Sequence, residues 1–252
     1  MDDEKDFVRA LEKGLVVIKS FDFEHQRQTL SDVAKRTRMT RAAARRYLLT
    51  LTKLGYAESD GKFFWLAPRI LHLGYALFSS TPLSRLAQPI LDRIGDSVGE
   101  IASLAVRDGS EVIFLAHSTT SNRIISTKVN IGMRIPLFCS AAGKAILAYQ
   151  SSDEIKHFLK SGKFPKLTPH TITGSEAITR ELTTIRDKGY GTSIEELELG
   201  LLSIGVPLPE SNGRIMHALT VSLHAGRMDV KQLVEKALPP LLAGQQELAA
   251  ML

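Results

Sequence analysis

The sequence predicts an α+β protein with two parts, a small and mainly helical N-terminal region and a larger region of mixed helices and strands. Apolar residues recur at helical spacing up to Gly55, and two strand-like segments then flank Asp60-Gly61. Beyond them, short hairpins alternate with helices. The polar segment Ser79-Ser80-Thr81-Pro82 predicts the boundary. We therefore expect a first domain over residues 1–67, a linker helix over 68–82 and a second domain over 83–252.

The composition is that of a globular protein. The 252 residues are 44% hydrophobic and 23% charged. No apolar run reaches the ~18–20 residues that span a bilayer, and the acidic start Met1-Asp2-Asp3-Glu4 argues against a signal peptide. Cys139 is the single cysteine, which excludes an internal disulfide. We expect a cytoplasmic protein with no membrane partner.

The first domain has the element order of a winged helix-turn-helix. Apolar residues at helical spacing predict a first helix over Val8–Phe21. Thr29 and Thr40 are suited to begin the second and third helices as N-caps, and the third helix is expected to end near Leu54. Asp60-Gly61 predicts a tight hairpin between two short strands. Helix, helix-turn-helix and hairpin together predict a DNA-binding fold.

A further helix is predicted over Arg69–Phe78, directly after Pro68. Its apolar residues cover more than one helix face. A connecting helix with two apolar faces usually has two partners, and we expect these to be its own domain and a second subunit.

Positive charge is concentrated in the predicted helix-turn-helix. Residues 25–62 contain nine basic and three acidic side chains. Arg41 and Arg45 share a helix face, and a small residue between them allows close approach to a groove. A basic surface that binds a protein is the alternative. The candidate DNA contacts, which also include helix N-termini for phosphates and the hairpin tip, are Thr29, Thr40, Arg41, Ala42, Arg45, Arg46 and Lys62.

The second domain is predicted to be a curved sheet flanked by helices, as in small-molecule sensor domains. Strands Ile101–Val106 and Glu111–His117 form a hairpin through Asp108-Gly109. A closing helix, capped by Asp229, is expected to be interrupted at Pro239-Pro240. The other predicted helices are Leu83–Val98, Ser140–Tyr149 and Ser175–Lys188, and the other strands are Ile124–Val129, Met133–Phe138, Val206–Leu208 and Met216–Leu223.

Several segments make the chain similar to the IclR family of bacterial regulators over nearly its whole length. They are Leu11–Ile18, Arg41–Leu51, Lys53–Tyr56 and Ser140–Ala145. Ala43–Arg46, Ser79–Leu83 and Ala87–Pro89 further resemble the branch that controls protocatechuate, p-hydroxybenzoate and β-ketoadipate breakdown. One departure is Arg38, which stands in the inter-helix turn where many relatives have glycine.

The resemblance implies a winged helix, a dimerising linker helix and a GAF-like α/β effector-binding domain. It also implies a homodimer or dimer of dimers, a double-stranded operator with paired half-sites, and a small organic acid as effector. The branch favours an aromatic acid, with a small aliphatic acid as the alternative. No cofactor is implied.

The resemblance also places an effector pocket between the sheet and nearby loops. Thr220 and Ser222 share one sheet face, and the small residues from Ser140 to Gly143 leave helix N–H groups free for a carboxylate. A nearby arginine is the candidate counter-charge. A satisfied buried hydroxyl is the ordinary interpretation of each Ser or Thr alone. The candidate effector residues are Arg134, Ala142, Gly143, Ser193, Glu195, Ser203, Thr220 and Ser222.

An enzyme acting on a small acid, with an accessory helix-turn-helix, is the competing function. It would depend on Cys139 or on Glu195 and Glu196. The cysteine has no identifiable base, and carboxylates at this spacing more often form a solvated face. The histidines show no metal-binding pair. We therefore expect no catalytic residue and no metal. A constitutive DNA-binding protein with a structural second domain is the third possibility.

Overall fold

A computed structural model describes residues 6–22, 24–74, 82–119 and 130–251. The chain divides into two compact units, residues 1–80 and 81–252. The strand predicted over Ile124–Val129 and residues 75–81 of the predicted linker lie outside the described residues. Among the helices in the described ranges, none combines the length and the apolar character needed to cross a membrane.

The first unit contains three helices and a small antiparallel sheet within its described residues. The sheet order is β1-β3-β2, so the predicted hairpin forms the sheet with a short strand, β1, that the sequence did not predict. The three predicted helices are confirmed. The elements are α1 (Arg9–Lys19), β1 (Gln28–Thr29), α2 (Leu30–Arg36), α3 (Arg41–Lys53), β2 (Ala57–Ser59) and β3 (Phe63–Leu66).

Side-chain caps fix where α2 and α3 begin. The Thr29 hydroxyl accepts a hydrogen bond from the Asp32 amide at 3.3 Å, and the Asp32 carboxylate accepts one from the Thr29 amide at 2.9 Å. The Thr40 hydroxyl accepts from the Ala43 amide at 3.2 Å. Arg38, in the turn between these helices, adopts φ 55°, a left-handed conformation that costs on the order of 1 kcal/mol outside glycine.

The buried face of α3 holds the first unit together. Ala44, Leu48 and Leu51 point inward, as the helical spacing predicted. They pack with Val17 of α1 and Val33 of α2. This packing fixes which α3 side chains face outward.

Only the start of the predicted linker helix is described. Pro68–Ile70 form one 3₁₀ turn, and residues 71–74 continue as helix. Leu71 and Leu73 are exposed within the described residues.

The second unit is built around a six-stranded antiparallel sheet, counted over its described residues, with the order β6-β5-β4-β9-β8-β7. Its strands are β4 (Ile101–Asp108), β5 (Glu111–His117), β6 (Arg134–Pro136), β7 (Gly191–Ile194), β8 (Leu201–Pro209) and β9 (Ile215–His224). Its helices are α4 (Pro82–Val98), α5 (Ala141–Leu147), α6 (Ser152–Ser161), α7 (Ser175–Lys188) and α8 (Val230–Ala249).

The two faces of this sheet have different partners. On β8 and β9 the residues Ile204, Leu219 and Val221 pack with α4 and α8. Side chains that point to the opposite face, such as Ala218 of β9 and Ala105 of β4, pack with α5, α6 and α7. The site described below lies on this second side.

The closing helix corrects one prediction. α8 runs without a break through Pro239 and Pro240, where an interruption was expected. Each proline removes an N–H donor, and the carbonyls four residues earlier belong to Glu235 and Lys236, which are exposed and can bond water. Burial of the opposite face, including Gly244, where a Cβ would lie 2.8 Å from Ile90, keeps the helix in place.

Two further differences concern short elements. The strand predicted over Met133–Phe138 is a three-residue strand, Arg134–Pro136, followed by a 3₁₀ turn over Leu137–Cys139. Helix α6 and strand β7 were not predicted, although Ser151 and Glu154 form a capping box at the start of α6.

Candidate functional site

The outward face of α3 presents unpaired cations. Arg41, Arg45 and Arg46 are exposed, and their guanidinium groups form no hydrogen bond or ion pair with any described residue. Ala42, also exposed, adds no bulk between them. This face can therefore approach a polyanion without first breaking contacts within the protein.

Neighbouring arginines of the first unit are occupied instead. Arg36 donates to the Asp22 carboxylate at 2.5 Å and to the Ser20 carbonyl at 3.1 Å. Arg69 donates to the Leu54 carbonyl at 2.9 Å, beyond the end of α3. These two arginines stabilise the domain through contacts within it. The arginines on the outward face of α3 have no such contacts with the described residues.

The hairpin is held by hydrogen bonds to Asp60 and carries a cation at its tip. The Asp60 carboxylate accepts hydrogen bonds from the amides of Phe63 at 2.7 Å and Lys62 at 3.0 Å, and these bonds lower the pKa of Asp60. Arg27 pairs with Asp60 at 2.7 Å and lies 4.6 Å from the centre of the Trp65 ring. Lys62 itself is exposed.

The two threonine candidates of the first unit act first as caps. The amide and the hydroxyl of Thr29 both donate to Asp32, so neither remains for a phosphate. The Thr40 hydroxyl accepts from Ala43 and its side chain is exposed at the start of α3. The structure thus gives Thr29 a structural role, and it leaves Thr40 beside the free arginines.

A cavity of about 250 Å³ lies on the α5 side of the second unit's sheet. It brings together five of the predicted effector residues: Ala142, Ser193, Ser203, Thr220 and Ser222. Ser140 and Ala141, from the segment predicted to offer helix N–H groups, also line it. The lining residues that the sequence did not predict as effector contacts are Phe114, Met133, Ile135, Leu197, Glu198, Leu199, Gly200, Leu201 and His224.

The hydroxyl groups around this cavity differ in whether they have partners. Ser193 donates to the Cys139 carbonyl at 2.7 Å, and the Ser203 and Ser222 hydroxyls bond each other at 2.9 Å. The hydroxyl of Thr220, a residue only 3% exposed, has no hydrogen-bond partner within the described part of the chain. Since an unpartnered buried hydroxyl is costly, a bound molecule that reaches Thr220 gains a hydrogen bond there.

The start of α5 also faces the cavity. Ser140 caps the helix by accepting from the Gly143 amide at 3.1 Å, and it donates to the Pro136 carbonyl at 2.9 Å. The amides of Ala141 and Ala142 belong to the first turn, where no helical carbonyl is available to them. Both residues line the cavity.

A buried ion pair supports the loop on one side of the cavity. The Lys144 ammonium lies 2.5 Å from Glu196 and 3.1 Å from Glu181. Burial raises the pKa of Glu196, and the lysine opposes this shift. The expectation of a solvated carboxylate face is therefore wrong for Glu196, whose chain neighbours Leu197 and Glu198 line the cavity.

Three predicted effector residues are not brought to the cavity. Arg134 is exposed and pairs with Asp108 at 2.6 Å and Glu111 at 2.7 Å, because its strand places it at the β4–β5 hairpin. Glu195 accepts from the Gly200 amide at 3.0 Å. Gly143 packs against the chain before α5, where a Cβ would lie 2.2 Å from the Leu137 carbonyl oxygen.

Most of the lining residues that the sequence did not predict are apolar. The apolar walls carry no distinctive pattern, since such residues fill any core. His224 did have a signal, because it follows Thr220 and Ser222 at the two-residue period of strand β9.

Catalytic and metal chemistry find no support among the described residues. Cys139 is fully buried, and burial raises the pKa of its thiol to about 12. No group of three His, Cys, Asp or Glu side chains in the described ranges could hold a metal ion.

Family models match both parts of the chain. Residues 10–61 match the IclR helix-turn-helix domain, and residues 75–248 match the C-terminal domain of the bacterial transcriptional regulator IclR. Two similar proteins are named regulators. The Pca regulon regulatory protein of Pseudomonas putida is 38% identical, over 99% of this chain and 86% of that protein. The p-hydroxybenzoate hydroxylase transcriptional activator of Acinetobacter baylyi is 32% identical, over 97% and 92%.

Solved structures share the fold. A transcriptional regulator from Rhodococcus sp. RHA1 superimposes with a TM-score of 0.84 at 36% identity, covering 97% of this chain and 98% of that one. An IclR homologue from Microbacterium hydrocarbonoxydans, complexed with 4-hydroxybenzoate, gives a TM-score of 0.79 at 26% identity, over 96% and 99%.

Proposed function

The chain belongs to the IclR family of bacterial transcriptional regulators, and from that premise we propose that it binds operator DNA through α3 and responds to an aromatic acid in the cavity of its second unit. Its relatives include named regulators of the Pca regulon and of p-hydroxybenzoate hydroxylase. We further propose that it controls genes of aromatic-acid breakdown. A DNA-bound regulator of this kind acts in the cytoplasm.

The observation that carries the DNA-binding proposal is the free cationic face of α3. We propose that Arg41, Arg45 and Arg46 contact phosphates or base edges, with Ala42 close to the groove floor. Thr40 and Lys62 contact the DNA backbone from the helix start and the hairpin tip. Arginine can also bond guanine through two donors, so one of the three can read sequence.

Selection from random double-stranded DNA, followed by affinity measurements at several salt concentrations, tests this proposal. Arg45→Ala should weaken binding and lower the slope of log K against log salt by about 0.9 if the arginine neutralises one phosphate. Arg180→Ala, which removes an exposed arginine of the second unit, should leave both values unchanged. Equal behaviour of the two variants would contradict the proposal.

The effector proposal depends mainly on the unpartnered Thr220 hydroxyl. We place the ligand carboxylate at Thr220 and at the amides of Ala141 and Ala142, with Ser193, Ser203 and Ser222 around it. The aromatic ring then lies between the apolar walls. A 250 Å³ cavity suits a small organic acid rather than a larger metabolite.

Thermal stability of the full chain measured with benzoate, 4-hydroxybenzoate, protocatechuate, pyruvate and glyoxylate tests the effector proposal. An aromatic acid at 100 times its Kd stabilises the protein by about 2.7 kcal/mol. Thr220→Val should reduce this stabilisation. A response to pyruvate or glyoxylate alone would favour an aliphatic effector, and no response would favour constitutive DNA binding.

The exposed face of α1 supports a second copy as partner. Leu11, Leu15 and Val16 form an apolar stripe on this helix together with Phe7 and Val8 before it, all exposed. We propose that this stripe and a linker helix over residues 68–82 pair two subunits on paired half-sites, and that effector binding changes their separation or the dimer–tetramer balance. Leu11→Glu should shift the sedimentation coefficient toward the monomer, whereas Leu49→Glu, on α3, should not.

A further inference from the structure

Strand β9 carries a row of polar side chains along the cavity. Thr220, Ser222 and His224 occupy alternate positions, so all three lie on the same face of the strand, and all three line the cavity. Thr220 is buried, whereas His224 is exposed. The row therefore runs from the closed end of the cavity to its mouth.

The ring of His224 has a defined donor. Its Nδ1 accepts a hydrogen bond from the Gly226 amide at 3.2 Å, so in the neutral imidazole the proton lies on Nε2. The Nε2 edge lies against Gly200, where a Cβ would come within 2.8 Å of that nitrogen. Gly200, with φ +82°, also lines the cavity. The N–H donor is thus held beside the cavity mouth.

The turn after β9 is anchored, which fixes the backbone of His224. The Arg227 amide donates to the His224 carbonyl at 2.9 Å. The Arg227 side chain pairs at 2.7 Å with Glu100, a carboxylate that is itself buried. The donor position therefore does not depend on an unsupported loop.

Apolar side chains form much of the rest of the cavity lining. Phe114, Met133, Ile135, Leu197 and Leu201 line the cavity. A ligand with an apolar body and two polar groups can therefore contact this apolar lining and also reach both Thr220 and His224. An acid whose only polar group is its carboxylate leaves the Nε2 donor of His224 without a ligand partner.

We propose that His224 determines effector specificity by donating from Nε2 to a second oxygen group, opposite the carboxylate of the ligand. This inference rests on the proposed effector site at Thr220. The four residue steps from Thr220 to His224 along β9 span about 13 Å. A para-substituted ring with roughly 7 Å between its outer oxygens, plus a hydrogen bond of about 2.8 Å at each end, covers a similar length. A six-carbon diacid has the same two-ended chemistry.

Calorimetric titration of the full chain with benzoate, 4-hydroxybenzoate and adipate tests the proposal. The informative variant is His224→Asn, because the asparagine oxygen can still accept from the Gly226 amide while its amide group does not extend as far as Nε2. His157→Asn, on the exposed side of α6, is the matched control. Melting temperatures verify that each variant is folded.

We expect His224→Asn to weaken the binding of the two-ended acid about ten-fold, the effect of one lost hydrogen bond, and benzoate by less than two-fold. The control should change neither value. A loss for 4-hydroxybenzoate identifies a ligand hydroxyl as the group that His224 binds at the mouth. A loss for adipate identifies a second carboxylate there. An equal loss for benzoate and both two-ended acids, or no loss for any, overturns the role of His224 but not the effector site. If none of the three acids binds the unsubstituted protein, the effector proposal fails and this inference fails with it.

Discussion

Replacing Lys144 by methionine should destabilise the second unit strongly. The lysine is 1% exposed, and its ammonium lies between Glu196 at 2.5 Å and Glu181 at 3.1 Å. Methionine keeps much of the volume but leaves Glu196, 4% exposed, without its cation. Breaking a buried ion pair on one side costs about 3–5 kcal/mol. In a domain of this size each kcal/mol lowers Tm by about 2–4 °C, so we expect a fall of roughly 6–20 °C.

Scanning calorimetry on three variants measures this effect. Lys156→Met removes a lysine that is 78% exposed and should change stability by less than about 0.5 kcal/mol. Combining Lys144→Met with Glu196→Gln removes the buried charge as well, so the double variant should be more stable than Lys144→Met alone. The reasoning is refuted if Lys144→Met behaves like Lys156→Met, or if the second substitution only adds to the loss.

The loss should also depend on pH. Burial already raises the pKa of Glu196 above the ordinary 4.5, and removing Lys144 takes away the charge that opposes this shift. A carboxyl group with a raised pKa in the folded state retains its contribution to stability below the ordinary value and loses it as pH rises through the folded pKa. The deficit of Lys144→Met should therefore grow from pH 5 to pH 8. A constant deficit over this range would contradict a buried, uncompensated Glu196.

Three further predictions concern other positions. Cys139 should resist iodoacetamide in the folded protein at pH 8, because its thiol is buried with a pKa of about 12, and mass spectrometry should find labelling only after denaturation. Gly143→Ala should lower the free energy of unfolding, measured by chemical denaturation, by about 3 kcal/mol, because the new Cβ meets the Leu137 backbone at 2.2 Å. The control Gly14→Ala, whose new Cβ has its nearest neighbour at 4.0 Å, should instead stabilise α1 by about 0.5–1 kcal/mol. Glu198→Gln should raise the affinity for adipate relative to 4-hydroxybenzoate in calorimetry, because it removes a negative charge from the cavity lining; an unchanged ratio would place the second carboxylate elsewhere.

Local signals in the sequence were sufficient for most of the fold. The caps at Thr29, Thr40 and Asp229 and the hairpin at Asp60-Gly61 each depend on contacts within a few residues, and all four form. The interruption predicted at Pro239-Pro240 was wrong. Whether a helix continues through proline depends on tertiary burial of its other face, which is not a local property.

Non-local pairing explains what the sequence could not show at the site. Arg134 was expected as a counter-charge, but strand pairing brings it to Asp108 and Glu111 instead. Glu196 was expected in solvent, but its partner Lys144 lies on another element. An acidic residue gives no local sign of whether it is buried with a cation, because the cation is supplied by the fold.

The two ends of the cavity differ in how well they tolerate substitution. Lys144 joins α5, whose first turn lines the closed end, to the loop that continues from Glu196 along the wall, so these two walls share one buried ion pair. Such a pair resists change, because altering either partner leaves an uncompensated charge. The mouth residues Glu198, Leu199 and His224 are exposed, and substitution there carries no such penalty. A substitution at the mouth of this cavity can therefore change which ligand is bound without the loss of stability expected from a change in the ion pair.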